Sequence, residues 1–218
     1  MITIHHLEKS RSHRILWLLE ELGLDYEVKR YNRDAKTNLA PEELKAVHPL
    51  GKSPVIEDDG LVVAETGAMA EYLVDKAGGK LRPEPGTKEF LRYRYWLHYA
   101  EGSMMPPLLI RLVFSRLSQP PVPLPFRPFG WMVAKGVDAA YLGAEINRHM
   151  DFMNTTLANQ PWFVGDNFTA ADIQMSFPLL ATQSHLGKRP HIKAFLKRCQ
   201  QRPAFKKAIS KGGPITPV

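Results

Sequence analysis

Only one cysteine, Cys199, occurs in the 218 residues. That excludes an internal disulfide framework and fits a reducing compartment, so a cytoplasmic location is expected. No run approaches the roughly 18 apolar residues of a membrane-spanning helix, so no membrane partner is expected. Glu8, Glu20 and Glu21 interrupt any apolar leader. Metal ligation needs clustered donors, and the eight histidines are scattered apart from His5-His6, which a strand would point to opposite faces. No metal is therefore expected. The chain has no Gly-rich dinucleotide fingerprint, no His-Glu-x-x-His helix and no nucleophile elbow. Gly51-Lys52-Ser53 ends like a phosphate loop, but the motif's first Gly falls on Ala46, and Pro54 stands where a helix should begin.

Acid is missing too from one region. From Ile173 onward there are nine Lys or Arg and no Asp or Glu, in a chain of net charge +7. Without interleaved aromatics or a nucleic-acid motif, this stretch reads as solvated helix faces and cations near helix C-termini. No nucleic-acid partner is expected. Weak attraction of an anionic substrate is a further use of the same charge.

What is present is an ordinary globular composition, 44% hydrophobic and 23% charged. Ile2 to His6 reads as a strand, Ser12 to Leu22 as a helix ending at Gly23, and Tyr26 to Arg30 as a second strand. Pro41 to Ala46 is a helical turn. Two strands flank Asp58-Asp59-Gly60, and a helix runs from Glu65 to Lys76, with Met69, Tyr72 and Leu73 on one face. The order β-α-β-α-β-β-α is that of a thioredoxin-like mixed sheet with helices on both faces. Gly78-Gly79 and Pro83-Glu84-Pro85-Gly86 form a breaker-rich linker. Beyond it the pattern is helical: Thr87 to Leu117 with a kink at Met104-Met105-Pro106-Pro107, Phe129 to Leu157, Thr169 to Leu180, His191 to Gln201 and Pro203 to Ser210. Gln119 to Pro128 holds five prolines and reads as a loop. The expected domains are 1–80, α/β, and 87–218, all-α.

The most informative stretch is Leu50-Gly51-Lys52-Ser53-Pro54-Val55 followed by Glu65-Thr66. A Pro before a strand removes a ladder donor and can sit cis, exposing the backbone of the preceding residue. An exposed backbone edge beside a helix N-terminus is an arrangement that binds peptides and anions. Ser10 and Ser12 lie between the first strand and first helix, where unpaired N–H groups also favour an anion.

Taken with Ser10-Arg11-Ser12-His13-Arg14 leading into Ile15 to Leu24, and with Phe168-Thr169-Ala170-Ala171-Asp172, these motifs resemble the glutathione S-transferase family. Their order and spacing span nearly the whole chain, and the Pro-rich segment is similar to a bacterial and fungal, theta-like serine branch. The resemblance implies glutathione as co-substrate, a small apolar electrophile as second substrate, a detoxifying role and a homodimer. It implies Ser10 as the hydroxyl that stabilises the thiolate, with Ser12 as the alternative; Ser12's structural role would be to N-cap the helix. Ser53, before Pro54, would offer its backbone to the cysteinyl part of glutathione. Glu65 would pair with the γ-glutamyl ammonium, Thr66 would hold its carboxylate and Lys52 would reach the glycyl carboxylate. Thr169 and Asp172 read as a capping box with a folding role. Tyr99, Met104 and Phe114 are candidates for an electrophile pocket. Glutathione-dependent peroxide reduction stays open, whereas a thiol reductase would need a Cys where the serines stand. The alternative is a non-catalytic binding or scaffold protein of the same fold.

Overall fold

The computed structural model describes residues 1–35, 37, 39–213 and 215. Four strands, β1 (Ile2–Leu7), β2 (Tyr26–Tyr31), β3 (Val55–Asp58) and β4 (Leu61–Ala64), form one mixed sheet in the order β2-β1-β3-β4. β1 and β2 are parallel, which requires a crossover, and α1 (Ser12–Leu22) supplies it. Its apolar stripe is buried, and it stops at Gly23, whose φ of 71° suits a residue without Cβ. The other two pairings are antiparallel. Asp59 and Gly60, both left-handed, close the β3–β4 hairpin with the twist such two-residue turns favour. α2 (Glu43–Val47) and α3 (Thr66–Lys76) complete a thioredoxin-like unit. α2 starts two residues later than Pro41, and β2 extends one residue beyond Arg30.

The rest is helical: α4 (Lys88–Tyr99), α5 (Met105–Arg116), α6 (Arg127–Val137), α7 (Gly143–Thr156), α8 (Ala170–Ala181), α9 (Pro190–Gln201) and α10 (Pro203–Gly212). The two long helices expected from the sequence are each broken by one π turn, at Ala100–Met104 and Asp138–Leu142. The first lies just before Pro106-Pro107, whose missing N–H groups cannot continue the α ladder. The Pro-rich segment is not loop throughout: a 3₁₀ turn covers Leu124–Phe126, and α6 begins at Arg127.

α8 is buried along all twelve residues and forms the axle of the helical part. Its first turn is held by the Thr169–Asp172 capping box. Asp172 also accepts the Phe163 N–H at 2.8 Å, tying the preceding loop to the helix. α1 packs against α3, α8 and α10, so one apolar core runs through both parts. Part of the basic stretch is paired within the chain. Arg202 is paired with Glu21 at 2.5 Å, and Lys207 and Lys211 both reach Glu20 at 2.7 Å. Burial alone would raise the Glu20 carboxyl, but the hydrogen bonds from Lys207, Lys211 and Tyr26 take it down to about 2. Among the described residues no helix is long and apolar enough to cross a membrane.

Candidate active site

Sheet register gathers the sequence candidates at one end of the fold. Val55 pairs with both His5 and Ala64. Ser53-Pro54 before β3, Glu65-Thr66 after β4 and the β1–α1 loop carrying Ser10 therefore emerge together, beside the N-termini of α1 and α3. The Ser53–Pro54 peptide is cis. The Ser53 hydroxyl donates to the His5 carbonyl at 2.8 Å and accepts the Leu7 N–H at 3.0 Å, closing the β1 edge. Its main-chain N–H and C=O take part in no turn or loop hydrogen bond among the described residues.

Ser10 and Ser12 belong to one hydrogen-bonded chain. Ser12 is fully buried, and its Oγ lies 2.6 Å from His6 Nδ1 and 2.8 Å from Ser10 Oγ. His6 Nε2 is 2.9 Å from the Gly212 carbonyl, which can only accept, so Nε2 carries the proton of the neutral ring. Nδ1 is then an acceptor, and the Ser12 hydroxyl donates to it at 2.6 Å in preference to its other acceptor, the Leu7 carbonyl at 3.3 Å. Burial lowers the His6 pKa, against the opposing Gly212 bond, which keeps the ring neutral. Ser12 is the first residue of α1 and does not cap it. Instead Ser10 Oγ accepts the Ser12 N–H at 3.2 Å, taking one orphan donor of the helix start.

Ser10 faces outward, lining a cleft of about 540 Å³. One wall is the sheet end with Leu7, Lys52 and Ser53; the opposite wall is Met105, Leu109 and Leu112 of α5 with Phe177 of α8. Among the described residues Lys9, Arg11, Arg33, Lys45 and Lys52 ring it against a single acid, Glu42. The cleft is thus basic at one side and apolar at the other, shaped for an anionic polar molecule lying next to an apolar one. Pro54, Ser12, Glu65 and Thr66 do not line it. Glu65 is exposed at the N-cap of α3 with φ 68°, a backbone state a non-glycine residue holds at a cost of about 1–3 kcal/mol. Thr66 is buried, and its hydroxyl accepts from the Gln174 side chain of α8 at 2.8 Å.

Comparison with known proteins decides the family. The model of the glutathione S-transferase N-terminal domain matches residues 1–75, and that of the C-terminal domain matches residues 120–203. The chain belongs to the glutathione S-transferase family. Glutathione S-transferase 3 of Schizosaccharomyces pombe is 39% identical over 216 residues, covering 97% of this chain and 88% of its own length. Glutathione S-transferase 1 of Saccharomyces cerevisiae is 35% identical over 189 residues, covering 82% and 80%. The crystal structure of a glutathione S-transferase from Actinobacillus pleuropneumoniae superposes with a TM-score of 0.80 at 36% identity, over 97% of this chain and 93% of that one.

Within this glutathione S-transferase the electrophile-pocket candidates need revision. Met104 is fully buried, and Tyr99 is turned inward with its hydroxyl bonded to His149. Phe114 lines a neighbouring groove of about 420 Å³ between α5 and α6. The π turn rotates α5 relative to α4, so Met105, Leu109 and Leu112 face the cleft instead. Cys199 is buried, and burial raises its thiol well above the ordinary range, which leaves it unreactive.

Glu101, Gln174 and Phe177 were absent from the sequence reading, and His6 entered it only as one of two adjacent histidines on the first strand. Arg14 served there only as a spacing mark. It is buried, donates to the Gln174 carbonyl at 3.2 Å and to Glu101, and lies 4.9 Å from the Phe177 ring centre. Burial lowers its pKa while Glu101 holds the charge in place. Arg11 pairs with the same carboxylate at 3.2 Å. Two arginines of the first unit are thus anchored on one acid of the second.

Proposed function

We infer that this transferase joins the thiolate of glutathione to small apolar electrophiles, with residues 1–80 binding glutathione and residues 87–218 supplying the apolar wall. The observation that carries the reading is the outward Ser10 hydroxyl at the meeting of the basic and apolar sides of the cleft. Ser10 donates to the sulfur and stabilises the thiolate, the nucleophilic form of a thiol whose ordinary pKa is about 8.5. Ser53 offers its main chain to the cysteinyl part, and Lys52 meets the glycyl carboxylate. Glu65 receives the γ-glutamyl ammonium. Thr66, at the start of α3, binds the γ-glutamyl carboxylate. The net negative charge of glutathione suits the five cations around the cleft.

The same thiolate is also a nucleophile toward a peroxide oxygen, so glutathione-dependent peroxide reduction is a second reaction open to this site. A detoxifying role follows from that chemistry, and a cytoplasmic location accords with the single cysteine. A two-fold homodimer accords with exposed Leu61 and Val62 on β4 and exposed Leu91 and Tyr95 on α4.

The test is the pH profile of kcat/KM with a chloronitroaromatic acceptor. Raising the bound thiol pKa by about two units, roughly 2.7 kcal/mol, lowers kcat/KM of Ser10→Ala by about 25-fold near neutrality and by up to about 10²-fold in acid, and alkali restores it. An unchanged profile moves the role away from Ser10. Absence of glutathione binding by titration calorimetry refutes the transferase reading and leaves a scaffold.

A further inference from the structure

The hydroxyl chain beneath the cleft has a direction, and that direction is set by His6. With the neutral ring donating from Nε2 to Gly212, Ser12 must donate to Nδ1, and Ser10, 2.8 Å from Ser12, must donate to Ser12. In this state the Ser10 proton points away from the cleft. Ser10 then presents only a lone pair, which accepts the S–H of a thiol and repels a thiolate. Turning Ser10 outward as a donor leaves two oxygens 2.8 Å apart with no proton between them, unless Ser12 turns as well. Ser12 can turn only if Nδ1 becomes a donor, because its 2.6 Å contact would otherwise lose its proton.

The geometry points to His6 as the internal proton acceptor that is coupled to thiolate formation at Ser10, an assignment that rests on glutathione binding as proposed above. The S–H bond of glutathione breaks and its proton passes to Ser10 Oγ. The Ser10 proton passes to Ser12 Oγ, and the Ser12 proton forms the new N–H bond at His6 Nδ1. No electrons are exchanged with any partner. The products are a thiolate facing a Ser10 donor, and an imidazolium that donates to Ser12 and to the Gly212 carbonyl. His6 touches no substrate atom and is a positioning residue.

The groups around His6 fit an acceptor that is empty at rest. His13 of α1 stands edge-on with ring centres 5.2 Å apart, Arg30 is its register neighbour on β2, and α10 presents the Gly212 carbonyl. Burial and, after it, the Arg30 cation disfavour a positive charge on the ring, so it is neutral until a negative charge enters the cleft. Ser12 is buried and not in the cleft, which shields the transferred proton from bulk water.

The experiment uses the full-length wild-type protein, labelled with ¹⁵N-histidine, and titrates it with glutathione and with S-methylglutathione at neutral pH. The imidazole nitrogen shifts of His6 are followed beside the ultraviolet thiolate band and the proton release into weak buffer. Expected are an imidazolium signature for His6 with glutathione only, and close to zero protons released per thiolate formed. In His6→Asn, whose amide fills the place of Nδ1 but cannot take up a proton, each thiolate formed releases one proton and the band forms at higher pH. A thiolate band with His6 still neutral, or one proton released per thiolate in the wild type, overturns the coupling and leaves the transferase reading standing. Absence of any binding overturns both.

Discussion

Replacing Glu101 by Gln keeps the shape of the side chain and removes the counter-charge of Arg14. The Arg14 side chain is 2% exposed, whereas Glu101 is 32% exposed and is shared with Arg11. Breaking a fully buried pair costs about 3–5 kcal/mol, because one charge is left without compensation. Here the stranded charge is the dry one, but the Gln174 carbonyl and the Phe177 face still hold it, so the cost falls to about 2 kcal/mol. At about 2–4 °C per kcal/mol for a chain of this size, the thermal midpoint drops by about 4–8 °C. Arg14→Met removes the charge and its desolvation together, and costs about 1 kcal/mol. The ordering is the sharper expectation: Glu101→Gln is less stable than Arg14→Met, and the double variant is close to Arg14→Met. Thermal midpoints at one protein concentration measure all three. If Glu101→Gln costs less than about 0.5 kcal/mol, or if the double variant is worse than the sum of the singles, the buried-cation reasoning is wrong.

Among the described residues, buried His13 has no hydrogen-bond partner at either nitrogen, and burial with His6 beside it takes its pKa to about 4. A base whose folded pKa lies below the unfolded value stabilises above about 6.5 and loses that stability as the pH falls towards 4. Between pH 7 and 4 the wild type should therefore lose up to about 3 kcal/mol relative to His13→Phe in denaturant midpoints; parallel curves refute this. Asp172, raised to about 6 mainly by burial, acts oppositely in the same window, its stability contribution lost as the pH rises, so only the difference between the two proteins isolates His13. Thr169→Ala removes a buried cap hydroxyl and should cost about 1–2 kcal/mol, with Thr169→Ser restoring most of it; equal stability of the alanine variant would place α8 nucleation elsewhere.

The sheet, the crossover helix and the Ser53-Pro54 loop were legible because each rests on a local signal: β-branched runs, Gly23 after an apolar stripe, and Pro before a strand. The capping box was legible for the same reason. The two π turns were not, since no residue type marks the one added residue, and the shift of helical face it imposes puts Met105 and Leu109, not Met104, on the cleft wall. The capping role weighed for Ser12 beside its catalytic one fails because its hydroxyl is claimed by His6, a residue on the preceding strand. His6 itself looked inert as one of two adjacent histidines on a strand. Its role depends on Gly212, and no sequence window joins the two. Arg14, Glu101 and Gln174 likewise meet only through tertiary packing.

The bond from His6 to Gly212 spans 206 residues of chain. α10 also carries the lysines that hold Glu20 on α1. During synthesis, at about 5–20 residues per second, Ser12 leaves the ribosome about 10–40 s before the carbonyl that orients its partner exists. A growing chain can complete its sheet early, yet it lacks the acceptor that fixes the His6 ring. The ring is thus oriented only after α10 is made, and a product truncated before α10 carries the Ser53-Pro54 loop without the Gly212 acceptor beneath it.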